Sequence, residues 1–279
     1  MQKTIFLDID DCLIETSRLG KPELDALEKS LVAQKIPKAS KITEEFGLSF
    51  HRLYDSHQGK KLDKKANQEL QLYMDKLHKL QNNIIHEYGQ VKKWSRECFL
   101  YLAAEKFDVA LSSTQIKTST FALWKSITEN NPFYPDALNF LKNLLLNKIP
   151  FYLISSSDCR LQFDDNKKLF IYDPQYSKNL KLERLNKFIK LKIPKENIFI
   201  GDPYDKPNLW VFQEALEKSR KDNPGIFTKV MVGDSVKNDL LPAKEAGMEK
   251  LILVLRHKKL SVPLPEGIEV IKSFEDLIS

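Results

Sequence analysis

The chain has 279 residues, of which 42% are hydrophobic and 29% charged, with few glycines and prolines. This composition excludes a disordered or collagen-like chain and suffices for one large α/β domain, alone or with a smaller appendage. The formal net charge of +6 is compatible with an anionic substrate but is too dilute for the dense basic stripe expected of a nucleic-acid binder.

The first apolar run, Thr4–Leu7, predicts a buried strand that ends in Asp8-Ile9-Asp10-Asp11. Side chains alternate along extended backbone, so Asp8 and Asp10 point to the same side. Residues 15 to 130 then show no convincing strand. Apolar residues recur there at helical spacing in three stripes: Leu24, Leu27 and Leu31; Leu70, Tyr73, Leu77, Leu80 and Ile84; and Val91, Trp94, Cys98 and Leu102. A segment of this length is too long for a loop within a domain, so it predicts a separate helical domain, entered and left near one edge of the sheet. Its lysines, dense from Gly59 to Lys65, read as a solvated face.

Beyond residue 131 helices and strands alternate. The pattern predicts helices over Pro135–Leu146, Leu180–Leu191, Pro207–Lys218 and Asp239–Ala246. Strands are expected at Phe151–Ile154, Asn197–Ile200, Lys229–Val232 and Lys250–Val254, then a short strand Ile268–Ile271 and a closing helix Ser273–Ile278. Such alternation predicts an α/β fold, a parallel sheet with helices on both faces. The stretch Arg160–Ser177 breaks it and is expected to form a hairpin or flap near the site.

In an open α/β sheet, ligands bind beyond the carboxyl ends of the strands, and the polar residues of this chain gather there. Taken alone, Asp8 and Asp10 could equally cap a following helix. Ser155-Ser156-Ser157 after the second apolar run can donate hydrogen bonds to a phosphate, although a serine run is usually a polar loop. Lys206 precedes a predicted helix start and alone would be an ordinary surface lysine. Gly233-Asp234 and Asp239 bring further hard carboxylate oxygens, which suit magnesium. Cys12, Cys98 and Cys159 are widely spaced and suggest neither a disulfide framework nor a zinc site, and the five histidines lack metal-ligand spacing. The opening MQKTIFLDIDD has no signal-peptide pattern, and no window approaches the roughly 20 apolar residues that span a bilayer. A cytoplasmic location without a membrane partner is the expectation.

In order, DIDDCLI, LISSSD, KPNLWVFQEAL and VMVGDSVKNDLLPAKEAGM resemble the four motifs of the haloacid dehalogenase (HAD) superfamily, which end successive strands of a Rossmann-like sheet. Phe133-Tyr134-Pro135-Asp136-Ala137 is similar to the family's approach to its second strand. The resemblance implies a catalytic core of residues 1–14 and 131–279 and a helical cap domain of residues 15–130, similar to the superfamily's first cap class. It implies a magnesium-dependent phosphomonoester hydrolase, with Asp8 as nucleophile and Asp10 as proton shuttle. Ser155, Ser156 and Lys206 would bind phosphate. Magnesium would be held by Asp8, the Asp10 carbonyl and Asp234, with Asp239 acting through water or orienting Lys206. Cys12 departs from the family's usual Thr or Val and reads as a small buried residue. A dehalogenase fits poorly, because that resemblance provides no acid at the position of Asp10. A phosphotransferase or phosphomutase, or a non-catalytic phosphate-binding scaffold, is the alternative. The expected partner is a small phosphorylated metabolite; its identity and the oligomeric state are not encoded in any motif. The helical cap is expected to act as a lid that chooses the substrate.

Overall fold

Six parallel strands form the main sheet of the protein, a computed structural model that describes residues 2–16, 20–57, 59–256 and 264–277. Chain order gives β1 (Lys3–Asp8), β2 (Phe151–Ser156), β3 (Gln162–Asp164), β4 (Leu169–Ile171), β5 (Ile198–Gly201), β6 (Thr228–Gly233), β7 (Lys250–Val254) and β8 (Ile268–Ile271). The main sheet runs β5-β2-β1-β6-β7-β8, whereas β3 and β4 pair antiparallel as a separate hairpin. The helices are α1 (Lys21–Ala33), α2 (Ala39–His57), α3 (Lys64–Leu80), α4 (Asn82–Tyr88), α5 (Arg96–Glu105), α6 (Ser113–Asn130), α7 (Pro135–Leu146), α8 (Pro174–Arg184), α9 (Asn186–Lys190), α10 (Trp210–Asp222) and α11 (Leu241–Glu245).

Strands buried on both faces must be apolar throughout, and β1 shows how the two faces are served. Ile5 and Leu7 join one apolar layer with Phe140 and Leu144 of α7, while Phe6 joins the opposite layer with Phe212 and Leu216 of α10. Each fully buried aromatic in these layers contributes about 1.5–3 kcal/mol relative to exposure. After β1 the chain builds outward through β2 and β5, then returns to the other side of β1 for β6, β7 and β8. The carboxyl ends of β1 and β6 therefore flank the topological switch point, where a crevice opens in such sheets.

The chain divides into two compact units. The sheet unit comprises residues 1–17, 131–157 and 181–279; the helical unit comprises residues 18–130 and 158–180. In the sheet unit the chain leaves and returns side by side: Tyr134 donates its amide to the Leu13 carbonyl at 3.1 Å, and Ile14 bridges Phe133.

Residues 158–180 correct the sequence expectation, which assigns them to the core. They form the expected hairpin, but Phe163, Phe170 and Tyr172 are buried in the same apolar cluster as Phe46, Phe99 and Leu123 of the helices. A buried ion pair fastens it: Arg160 donates to Glu97 at 2.8 Å, and Ser95 donates to the other Glu97 oxygen at 2.9 Å. At the hairpin tip Ser113 donates its hydroxyl to Asp165 at 2.6 Å. Four large apolar side chains, Leu161, Phe163, Phe170 and Tyr172, outweigh sequence adjacency in deciding where this segment packs.

Other expectations shift at element ends. The helix expected from Pro207 begins at Trp210, whose amide is capped by the Asn208 side chain at 2.9 Å. The helix expected at Asp239–Ala246 is a π-turn, Val236–Leu240, followed by α11. The closing helix is a short 3₁₀ turn, Phe274–Leu277, and the expected last residue, Ile278, lies outside the described residues.

Candidate active site

Three strand ends of the sheet unit, those of β1, β5 and β6, meet at Asp8, the last residue of β1, which is 3% exposed. Lys206, in the connection after β5, donates to the Asp8 carboxylate and to Asp239 Oδ1, the latter at 2.6 Å. Asp234 follows β6, and carboxylate oxygens of Asp8, Asp234 and Asp239 all lie within 4.8 Å of one another. The π-turn is what brings Asp239 in. Its carboxylate accepts from the Ser235 amide at 3.0 Å, and Asn238 donates its amide to Ser235 Oγ at 3.1 Å. A Cβ on Gly233 would stand 2.6 Å from the Asp239 Cβ, so the backbone must be bare there for the acid to enter.

Charge is crowded at this centre. Burial, followed by Asp239, pushes the Asp8 carboxyl well above its ordinary range, against the opposing pull of Lys206. Burial would lower the Lys206 ammonium, but Asp239 and Asp8 hold it above its ordinary value, so it stays charged. Three hard carboxylates gathered this closely form a donor set suited to a divalent cation, which would relieve their mutual repulsion.

Asp10 lies outside this acid cluster and in a basic surrounding. Its Oδ2 accepts from Lys181 Nζ and from Ser155 Oγ, each at 2.7 Å, and its Oδ1 accepts from Arg184 at 3.0 Å. Burial works against ionisation here, yet Lys181 and then Arg184 hold the Asp10 carboxyl well below its ordinary range. Ser155, expected on the phosphate, is thus found with its hydroxyl on Asp10, because the carboxylate is the nearest strong acceptor. Ser156 at the end of β2 is half-buried, and its carbonyl also accepts from Ser155 at 3.1 Å.

Sequence reasoning missed Lys181 and Arg184. Both sit on the face that carries Leu185 and Phe188, and those two apolar residues are fully buried. The signal was available: charges at positions 181 and 184 fall on the helical stripe continued by 185 and 188, so burial of the stripe buries them too. Cys12 matches its expected role, fully buried with its thiol pushed up by burial and then by Asp8. Arg256 was also missed. It donates to Asp136 at 2.6 Å and to the Cys12 carbonyl at 2.9 Å, tying the turn after β1 to the start of α7.

Residues 203–269 match the HAD-hydrolase-like family. No curated protein sequence matches the chain. Among solved structures, the putative HAD-hydrolase YfnB from Bacillus subtilis aligns with TM-score 0.54 and 14% identity, covering 99% of this chain and 96% of that one. That protein was crystallised with magnesium and is described as revealing interdomain movement. A putative beta-phosphoglucomutase from Thermotoga maritima aligns with TM-score 0.54 and 15% identity over 99% of this chain and 97% of its own. The 2-haloacid dehalogenase from Pseudomonas syringae pv. Tomato DC3000 gives 0.50 and 16% over 100% and 97%. These likenesses establish the fold, and all three chains are spanned almost end to end. Among the described residues, no helix is long and apolar enough to cross a membrane.

Proposed function

For a chain that is a HAD-like hydrolase, we propose the activity of a magnesium-dependent phosphomonoester hydrolase that works through an aspartyl-phosphate on Asp8. The observation that carries this reading is the pairing of Asp8 with a second acid, Asp10, two residues on and held at the same strand end by Ser155, Lys181 and Arg184. A halide departs as a stable anion and needs no proton. An alkoxide leaving from phosphorus does need one, and Asp10 is the group to supply it.

The Asp8 carboxylate attacks phosphorus, and the bond from phosphorus to the leaving oxygen breaks as Asp10 protonates that oxygen. Water then attacks the phosphorus of the acyl phosphate, Asp10 takes its proton, and Asp8 is released. Held ionised by Lys181 and Arg184, Asp10 already stands in the state needed for this second half. The first half requires its carboxyl to leave those partners and take up a proton, supplied by solvent or retained from the water of the preceding turnover, before it meets the leaving oxygen. Lys206, fixed between Asp8 and Asp239, meets the phosphoryl oxygens as charge rearranges on them. The Ser155 hydroxyl and the backbone at Ser156 serve the same oxygens once Asp10 has turned.

Asp8 and Asp234, with the Asp10 carbonyl, would hold magnesium, and Asp239 orients Lys206 beside them. When bound, the ion would offset negative charge on the non-bridging oxygens and so permit one anion to approach another. The test is a phosphate-release screen over phosphorylated metabolites, with magnesium or with EDTA, beside an Asp8→Asn control. Release that requires magnesium and Asp8 supports the reading; release of halide from haloacids without phosphate release would replace it.

A further inference from the structure

Lys181 and Arg184 present two cationic side chains, 1% and 5% exposed, to a carboxylate that is itself 29% exposed. They stand one helical turn apart in the last turn of α8, so both charges face the carboxyl edge of β1 and β2. Ser155 Oγ and Lys181 Nζ each lie 2.7 Å from the same Asp10 oxygen, and Arg184 reaches the other at 3.0 Å. Three donors around two oxygens of one anion describe an anion cradle, with Asp10 as its resident in the resting protein.

That resident cannot stay throughout the reaction. Protonating the leaving oxygen draws the Asp10 carboxyl away from its cations and towards the substrate. Two buried cations then lose one of their acceptors, which weakens the compensation of their charge in a poorly solvated setting. An anion arriving with the substrate would offset it, at a point set by the cradle and so beside the leaving oxygen. A third cation raises the local potential. Lys187, three residues beyond Arg184 in α9, donates to the Asn131 carbonyl, and burial together with Arg184 pushes its ammonium down from its ordinary value.

We propose that Lys181 and Arg184 form a subsite for a second anionic group, carboxylate or phosphate, on the leaving group of the substrate. This rests on the phosphatase reading and narrows its substrate class: the preferred phosphomonoester carries a further negative charge a few bonds from the ester oxygen. Binding of that group and release of Asp10 are then one exchange, in which the second anion frees the acid that the first step uses. A neutral leaving group leaves Asp10 in its cradle and reacts slowly.

The test uses a matched series on the full chain with magnesium: propyl phosphate, its analogue ending in a carboxylate, and its analogue ending in a second phosphate. The wild type should favour at least one doubly anionic ester by about tenfold or more in kcat/KM, the worth of one or two charge-assisted hydrogen bonds. The better of the two identifies the group. Lys181→Met and Arg184→Gln should bring that preference ratio towards one, and Lys181→Arg should retain most of it. A role confined to holding Asp10 predicts the other result, in which every ester slows by a common factor and the ratio is unchanged; that, or a wild-type ratio near one, overturns the subsite. Calorimetry with propylphosphonate and propane bisphosphonate reads the same preference without turnover. If no ester is hydrolysed, tighter bisphosphonate binding lost in Lys181→Met keeps the subsite while the phosphatase reading fails, and equal binding of both phosphonates rejects the subsite itself. Thermal melts of each variant confirm that folded protein is compared.

Discussion

Asp8 and Asp10 are two residues apart, yet they stand in opposite electrostatic surroundings. Around Asp8, three carboxylates gather and two of them, Asp8 and Asp239, share Lys206, and the Asp8 carboxyl is pushed up by burial and by Asp239. Around Asp10, Lys181 and Arg184 meet one carboxylate and hold it down. The first surrounding calls for a cation and the second tolerates an anion. One strand end thus divides the labour between a carboxylate that must approach phosphate and one that must move protons, and environment rather than residue type makes the difference.

The largest expected effect separates activity from stability at Asp8. Asp8→Asn should lower phosphate release by at least about 10,000-fold, as loss of a nucleophile does. Without metal at neutral pH the same change removes a disfavoured buried charge, so it should raise the melting temperature by roughly 2–4 °C. Asp10→Asn should lower release by about 100- to 10,000-fold and should lower the melting temperature, because Lys181 and Arg184 lose a charged partner. Melting temperatures that move in the same direction in both variants would erase the contrast drawn between the two acids.

Acidity sharpens the same contrast. The folded Asp8 carboxyl lies above its ordinary 3.8, so metal-free protein loses stability as pH rises from that value through the raised one. Asp10 lies below 3.8, so its contribution is complete above that value and is lost as pH falls through the depressed one. Melts from pH 3 to 8 should therefore show wild type and Asp8→Asn diverging as pH rises, and wild type and Asp10→Asn converging as it falls. Parallel curves would contradict both assignments.

Magnesium tests the acid cluster alone. At a concentration about 100 times its dissociation constant, it should stabilise the wild type by roughly 2.7 kcal/mol in a thermal shift. Asp234→Ala should need much more magnesium for the same shift and for activity, since it removes one of three gathered carboxylates. An unchanged requirement would take Asp234 out of the metal site. The smallest effect is expected at Cys12, whose buried thiol is pushed up and so should resist alkylation at pH 8. Cys12→Ala should alter turnover by no more than about threefold, at a cost near 1 kcal/mol for the lost packing.

The two surroundings also differ in how legible they were in the chain. The acid cluster follows from strand ends: apolar runs stop at Asp8 and Gly233, and topology carries both to one crevice. The basic cradle lies on a helix, where lysine and arginine three apart look like any solvated face. Only its phase relative to Leu185 and Phe188 marks it as buried. The sheet and α7 fall where periodicity places them, because each strand must be apolar on both faces. The hairpin's allegiance to the helical unit was not legible. It depends on long-range partners such as Glu97 for Arg160 and Tyr101 for Phe163, whose separation no local pattern records.

The account stands or falls on covalent capture at Asp8. Wild-type protein turning over a phosphomonoester with magnesium should be quenched with borohydride, which reduces an acyl phosphate to the alcohol, and the peptide containing Asp8 read by mass spectrometry. Conversion of Asp8 to homoserine, absent without substrate and absent in Asp8→Asn, is the result expected. Phosphate release with no conversion at Asp8, or with conversion at another acid, would contradict it.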